Sequence, residues 1–379
     1  MKLRSSTVLL LMLLLCSCRD APQGQELWRI PLHANGGMVQ ADNSLLFQSD
    51  MEMFAVTAEG SKSESWEISD SPANAGSYSM FSGAALRHAG DEYYLGQSQE
   101  GRPLLIHKQE PLEILELSDP QSSGKLSLPG MWTMQKMPCG LAGQLLLVDE
   151  GGTLIAFDYL GAVLWRFHIG SIYGMGLLGP QRLVVSTMEG FLYCLNRDGS
   201  LLWHRRVDSP GLFANDSGVC CIMDSALCCL NDKGELLWQR SLANNALYSF
   251  ITGHPDADVF YLQDQQRLSC YDMQGERLWQ QSYSGGRRER FRMYYPAADG
   301  FLFEHRYLFG DESGILGRRQ NSPGGMHERI ICLDRDGHRI YSFELANVST
   351  TGILPGSGGR LYCSDYLSGE LVAITPPAS

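Results

Sequence analysis

Along most of the chain, hydrophobic and polar positions alternate in short runs separated by turn residues. That period of two is the signature of half-buried β-strands. Leu183-Val-Val-Ser-Thr187 and Phe191-Leu-Tyr-Cys-Leu195 show it, and the Glu189-Gly190 step between them predicts a hairpin. The Leu201-Leu-Trp203 run that follows predicts a third strand. No segment carries a convincing helical period.

The unit recurs. Ala156-Phe-Asp158-Tyr-Leu-Gly161-Ala-Val-Leu-Trp165 superimposes on Cys194-Leu-Asn196-Arg-Asp-Gly199-Ser-Leu-Leu-Trp203. Cys229 to Trp238, turning at Asn231 and Gly234, and Cys270 to Trp279, turning at Asp272 and Gly275, repeat it. A fifth copy, around Asp334 and Gly337, ends in Tyr341, and a sixth runs from Ala55 to Trp66 with two extra residues after Gly60. Spacings of 38, 35 and 41 residues between Trp165, Trp203, Trp238 and Trp279 suit four short strands per unit. The Asx-x-x-Gly step predicts a turn in which the Asx side chain bonds backbone amides and Gly supplies a positive φ. A tryptophan once per unit predicts an anchor wedged between neighbouring sheets, where such a ring buries about 150–250 Å². The small residue two positions before the turn's first residue (Ala55, Ala156, Cys194, Cys229, Cys270 or Cys332) leaves it room.

Outer strands can be counted through Trp66, the Trp-less Glu113-Ile-Leu-Glu-Leu117, Trp165, Trp203, Trp238, Trp279 and Tyr341. The C-terminal stretch from Ser349 to Ile374 supplies inner strands and no outer one, whereas Glu26-Leu-Trp28-Arg-Ile30 is an outer strand with nothing before it. Pairing the two ends closes an eighth unit and removes an open edge. The repeat resembles the PQQ-like (quinoprotein-like) β-propeller repeat. The resemblance implies an all-β, eight-bladed propeller of four-stranded antiparallel blades, with seven blades as the alternative because the second and last-but-one blades are diverged. Residues 26–376 then form the propeller domain, after a signal segment (1–18) and a linker (19–25).

That signal segment has its own pattern. Lys2 and Arg4 precede an unbroken apolar run from Thr7 to Leu15, too short to span a bilayer, which takes roughly 18 or more residues. Leu15-Cys16-Ser17-Cys18 resembles the bacterial lipobox with Cys18 as the lipidated residue. Arg19 follows without the aspartate of inner-membrane retention, so the resemblance implies a lipid-anchored envelope protein on the periplasmic side of the outer membrane.

Composition then narrows the partners. A formal net charge of −12 argues against nucleic acid. Eleven cysteines would suit a disulfide framework in an exported chain, but four of them fill the slot that alanine fills in sister units, where they read as small buried hydrophobes. If Asp224-Ser225 is a two-residue turn, Cys220 faces Cys229 and Cys221 faces Cys228, leaving both buried thiols and a cross-strand disulfide open. No Cys-x-x-Cys, His-Glu-x-x-His or Gly-x-Ser-x-Gly occurs, and Asp334-Arg-Asp336-Gly337 reads as the unit's turn rather than a calcium loop. The stretch between Trp279 and Tyr341 is 62 residues long, well beyond one repeat. It holds the chain's basic cluster, Arg287, Arg288, Arg290 and Arg292, with Arg318 and Arg319 further on. These are candidate contacts for an acidic partner, against the plainer reading of a solvated loop.

The lipobox, linker and propeller together resemble the propeller-subunit family of the outer-membrane barrel-assembly machinery (the BamB family). That implies a non-catalytic, monomeric scaffold binding protein partners, with no catalytic residue, cofactor or metal. An extracytoplasmic ligand-binding or sensor propeller is the alternative. A quinone-dependent dehydrogenase would need calcium ligands, an aspartate base and a tryptophan floor on the axis. No such set is marked, and Trp132 alone does not make one.

Overall fold

The structure is a computed structural model. It describes residues 23–31, 38–41, 44–49, 52–57, 59–67, 87–90, 92–97, 102–108, 113–128, 140–242, 249–264, 267–282, 289–308, 327–345, 348–365 and 370–377. Its strands form eight antiparallel sheets, each a blade. Among the described residues, the lone helical element is the 3-10 turn Ser357–Gly359.

Blade 1 runs from Met38–Ala41 to Lys62–Glu67, and blade 2 from Arg87–Gly90 to Glu113–Glu116. In blade 3 the inner strand is split, Leu126–Ser127 and Gly140–Leu141 both pairing with Gln144–Asp149, before Thr153–Phe157 and Val163–His168 complete the sheet. Blade 4 spans Ile172–Leu177 to Leu201–Arg206, blade 5 Ser209–Asn215 to Leu236–Ser241, and blade 6 Phe250–Gly253 to Arg277–Ser282. Blade 7 runs from Glu289–Pro296 to Arg339–Leu345. Blade 8 takes three strands from the C-terminal stretch, Val348–Pro355, Leu361–Asp365 and Leu371–Thr375, and its outer strand, Gln25–Ile30, from the other end of the chain. Trp28 stands opposite Ala373 there, so the expected closure and the count of eight both hold.

The core lies between blades, and among the described residues it falls into eight clusters, one per junction. Leu192, Cys194 and Trp203 of blade 4 pack on Leu212, Val219 and Cys221 of blade 5. Leu45 and Val56 of blade 1 meet Leu371 and Ala373 of blade 8 across the closing junction. Corresponding clusters fill the other six junctions. A ring with every junction filled has no free blade face.

The anchor does more than fill space. Cys194 pairs with Trp203, Cys229 with Trp238, Cys270 with Trp279 and Ala156 with Trp165, as the slim-residue rule predicts. Each indole then reaches the turn of the following blade and donates to a backbone carbonyl: Trp165 to Arg197 at 2.8 Å, Trp203 to Asp232 at 3.0 Å, Trp238 to Met273 at 2.7 Å and Trp279 to Arg335 at 2.7 Å. The turn glycine lies beneath the ring. A Cβ on Gly199 would sit 2.6 Å from Trp165, and one on Gly234 2.7 Å from Trp203. The turn glycine thus has two duties, a positive φ and a flat seat for the neighbour's indole.

The sixth copy departs from the rule. Its two extra residues push Trp66 opposite Met53, and Glu64 takes the position opposite Ala55. Each anchor strand also carries a register shift beside the anchor, so the leucine just before it is an extra, bulged residue.

Candidate interaction surface

The bulge explains an apolar rim. In a regular strand Leu202 and Leu201 would face opposite sides of the blade, but with Leu202 inserted both lie exposed, at 45% and 43%. Leu236 and Leu237 repeat the pair on blade 5, and Leu164 and Leu278 extend the row to blades 3 and 6. These leucines sit on outer strands, which present an unpaired backbone edge beside apolar side chains.

A second feature is a groove of about 1360 Å³ over the hairpin turns of blades 4 to 7. Asp216, Asp256, Asp258, Asp272 and Asp336 line it, with Trp279 as an apolar wall. Arg335, the lining cation, is tied to Asp258 at 2.6 Å. The groove is therefore acidic. Asp334, Asp336 and His338 lie close enough to hold a cation. One oxygen of Asp334 is already engaged, accepting from the amides of Asp336 at 3.0 Å and His338 at 2.7 Å. Asp158, Asn231 and Asp272 make the same pair of bonds in sister turns, so the turn reading holds.

The basic cluster is only partly placed. Arg287, Arg288, Arg318 and Arg319 lie outside the described residues, as do Cys18 and Trp132. Arg290 and Arg292 fall within the inner strand Glu289–Pro296. Arg292 stands in register opposite Arg306, and Arg306 opposite Arg329. Arg306 is charge-paired with the buried Glu304 at 2.8 Å, and Arg329 with Glu344 at 2.6 Å. Part of the extra length between Trp279 and Tyr341 resides in the long strands of blade 7, and residues 309–326 lie outside the described residues.

Three of the anchor-slot cysteines are chemically quiet. Burial pushes the thiols of Cys194, Cys270 and Cys332 up to about 12, far from thiolate formation at neutral pH.

Sequence reasoning missed three contacts. Arg205 and Arg240, two residues after their tryptophans, donate to the carbonyls of Gly234 and Gly275, and Gln281 does the same to Gly337. Their shared spacing from the anchor was the available signal. Gly24, four residues before Trp28, completes the repeat across the two chain ends. Its Cβ position lies 2.5 Å from the Tyr341 ring, and its amide donates to Ser342 at 2.8 Å. Across the Trp-less blade 2, Leu115 lies where an indole would, 2.8 Å from the Cβ position of Gly161.

Residues 143–293 match the family model described as outer membrane protein assembly factor BamB. The chain resembles the PQQ-like, BamB-like propellers. The matched stretch covers the last three strands of blade 3, blades 4 to 6 and the start of blade 7. Among solved structures, BamB from Moraxella catarrhalis superposes with a TM-score of 0.57 at 12% identity, covering 93% of this chain and 99% of that one. Sqt1 of Saccharomyces cerevisiae superposes at 0.55 with 9% identity, covering 95% and 100%. At such identities the likeness is one of fold. No curated protein matches the sequence.

Proposed function

We propose that this protein is a non-catalytic scaffold, anchored by a lipid on Cys18 to the periplasmic side of the outer membrane, that binds a protein of the barrel-assembly class. The observation that carries the reading is the row of exposed leucines on the open outer strands of blades 3 to 6, within the segment that matches the BamB model. An unpaired strand edge flanked by apolar side chains suits partner-strand addition, with backbone hydrogen bonds for affinity and leucine contacts for register. Propeller fold alone does not select a function, so the site must carry the argument.

The test places a photo-crosslinker at Leu202 or Leu237 in the full-length protein within native envelopes. The expected result is recovery of the barrel-assembly protein, reduced at least tenfold by Leu237→Asp beside a crosslinker at Leu202. Recovery of no envelope protein from either position would refute the scaffold reading. The acidic groove supports a second reading, a propeller that binds a cationic peptide. Its signature would be crosslinks from Asp256 or Asp336 positions and none from the leucines.

A further inference from the structure

Blade 5 carries two cysteine pairs face to face. Asp224 and Ser225 both have positive φ, 49° and 59°, and join Met223 to its partner Ala226, which defines a two-residue hairpin turn. From that turn the register places Cys221 opposite Cys228 and Cys220 opposite Cys229. The pairs point to opposite faces, Cys221 and Cys228 into the junction with blade 4, Cys220 and Cys229 into the junction with blade 6. All four are free thiols in the structure.

The two pairs are not equivalent. In a two-residue hairpin the pair flanking the turn exchanges backbone hydrogen bonds, and bonded and non-bonded pairs alternate away from it. Met223 and Ala226 are a bonded pair, so Cys221 and Cys228 are bonded as well and Cys220 and Cys229 are not. A disulfide needs its Cβ atoms about 3.5–4.5 Å apart. Directly opposite residues have theirs about 4.5–5.5 Å apart, with non-bonded pairs at the near end. The Cys228 sulfur lies against the carbonyls of Met223 and Ala226, at 3.9 and 3.7 Å, and the Cys229 sulfur against that of Leu230 at 4.0 Å.

We propose that Cys220 and Cys229 are a disulfide site, closed by a disulfide-bearing oxidant while Cys221 and Cys228 remain thiols. One thiolate of the pair attacks the oxidant's S–S bond and expels one of its sulfurs as a thiolate. The second cysteine then attacks the mixed disulfide, forming the Cys220–Cys229 bond and releasing the other sulfur. The pair loses two electrons and two protons, and the oxidant ends as two thiols. Both cysteines are fully buried in the folded ring. Oxidation therefore belongs to the stage before blades 5 and 6 close on each other, when the hairpin has formed but its face is still open.

The probe is glutathione disulfide, present while the full-length chain refolds from denaturant, followed by blocking of remaining thiols and cleavage at methionine with cyanogen bromide. Cuts after Met188, Met223 and Met273 separate the fragment with Cys220 and Cys221 from the one with Cys228 and Cys229. The two fragments should stay joined without reductant and separate with it. The link should persist in Cys221→Ala/Cys228→Ala and vanish in Cys220→Ala/Cys229→Ala. Alanine already fills the Cys229 slot in blade 3, as Ala156, so the second variant retains a side chain the fold accepts there. Separate fragments from the wild-type chain, or a link kept by Cys220→Ala/Cys229→Ala and lost from the other variant, would overturn the assignment.

Discussion

Blades 3 to 6 and the remaining blades reach the same ring by different means. In the first group the junction that follows each blade is closed by an indole resting on a glycine and bonded to the next turn. In the second group the seat survives while its occupant varies. Leu115 covers Gly161 and Tyr341 covers Gly24, whereas Trp28 keeps an indole over Gly60 across the closing blade. Tyr341 also donates to the carbonyl of Gly359 at 2.7 Å, which gives its junction a polar tie of its own. The comparison teaches that these junctions place a large hydrophobic side chain over a residue without Cβ. The indole hydrogen bond is the strongest version of that arrangement, not its definition.

The largest effect should separate the two groups directly. Trp203 is buried and both packs and bonds across its junction, so Trp203→Ala should cost about 3–5 kcal/mol in urea unfolding. Leu115 is 37% exposed, and Leu115→Ala should cost only about 1 kcal/mol. Equal losses would mean that the two junctions are built alike after all.

The next comparison isolates the seat from backbone strain. Gly234 and Gly179 both have positive φ, 74° and 68°, but a Cβ on Gly179 meets nothing within 4 Å. Gly179→Ala should therefore show strain alone, about 1–2 kcal/mol. Gly234→Ala must also displace the Trp203 ring, and its loss should be about 1–3 kcal/mol larger. The readout is the same unfolding midpoint, together with tryptophan fluorescence. That should shift for Gly234→Ala and stay fixed for Gly179→Ala.

The same division explains what the sequence could reveal. The Trp–Gly period exposed the blades wherever both residues were present, and Trp28 with no inner strands before it exposed the closure. Gly24 was missed because no Asx stands three residues before it, where Ala21 lies, and the slim residue opposite Trp28, Ala373, comes from the far end of the sequence. Trp66 was misplaced because two inserted residues after Gly60 shift the register by two; the side-chain alternation survives such a shift, so periodicity alone cannot detect it. The Arg205 and Arg240 clasps showed only as a shared spacing from the anchor, and the leucine rim depends on the recurring bulge, which is a property of backbone pairing and leaves no mark in hydropathy. The partner surface was legible only as charge. The apolar rim emerged when the bulge showed that consecutive leucines point outward.

The smallest effect sharpens the comparison at the junction after blade 2, where a charge replaces the indole bond. Asp119, just past the outer strand of blade 2, accepts from Nε and Nη2 of Arg166 on blade 3, both at 2.7 Å, and from the amide of Gln121 at 3.0 Å. Hydrogen bonds from Arg166 hold its carboxyl below the usual carboxylate range, against the opposing effect of burial. A depressed carboxylate stabilises the fold only where the unfolded chain would already be ionised, above about pH 4. The contribution is complete at neutral pH and disappears as pH falls from there through the lower, folded value. Asp119→Asn should therefore unfold more easily than the wild type at pH 7, by less than either substitution above, and the gap should close as pH falls below about 4. Trp203→Ala provides the contrast, because an indole bonded to a carbonyl does not titrate. Its deficit should stay level over the same range, and a parallel closing of both gaps would show that the acid response belongs to the whole ring rather than to this one junction.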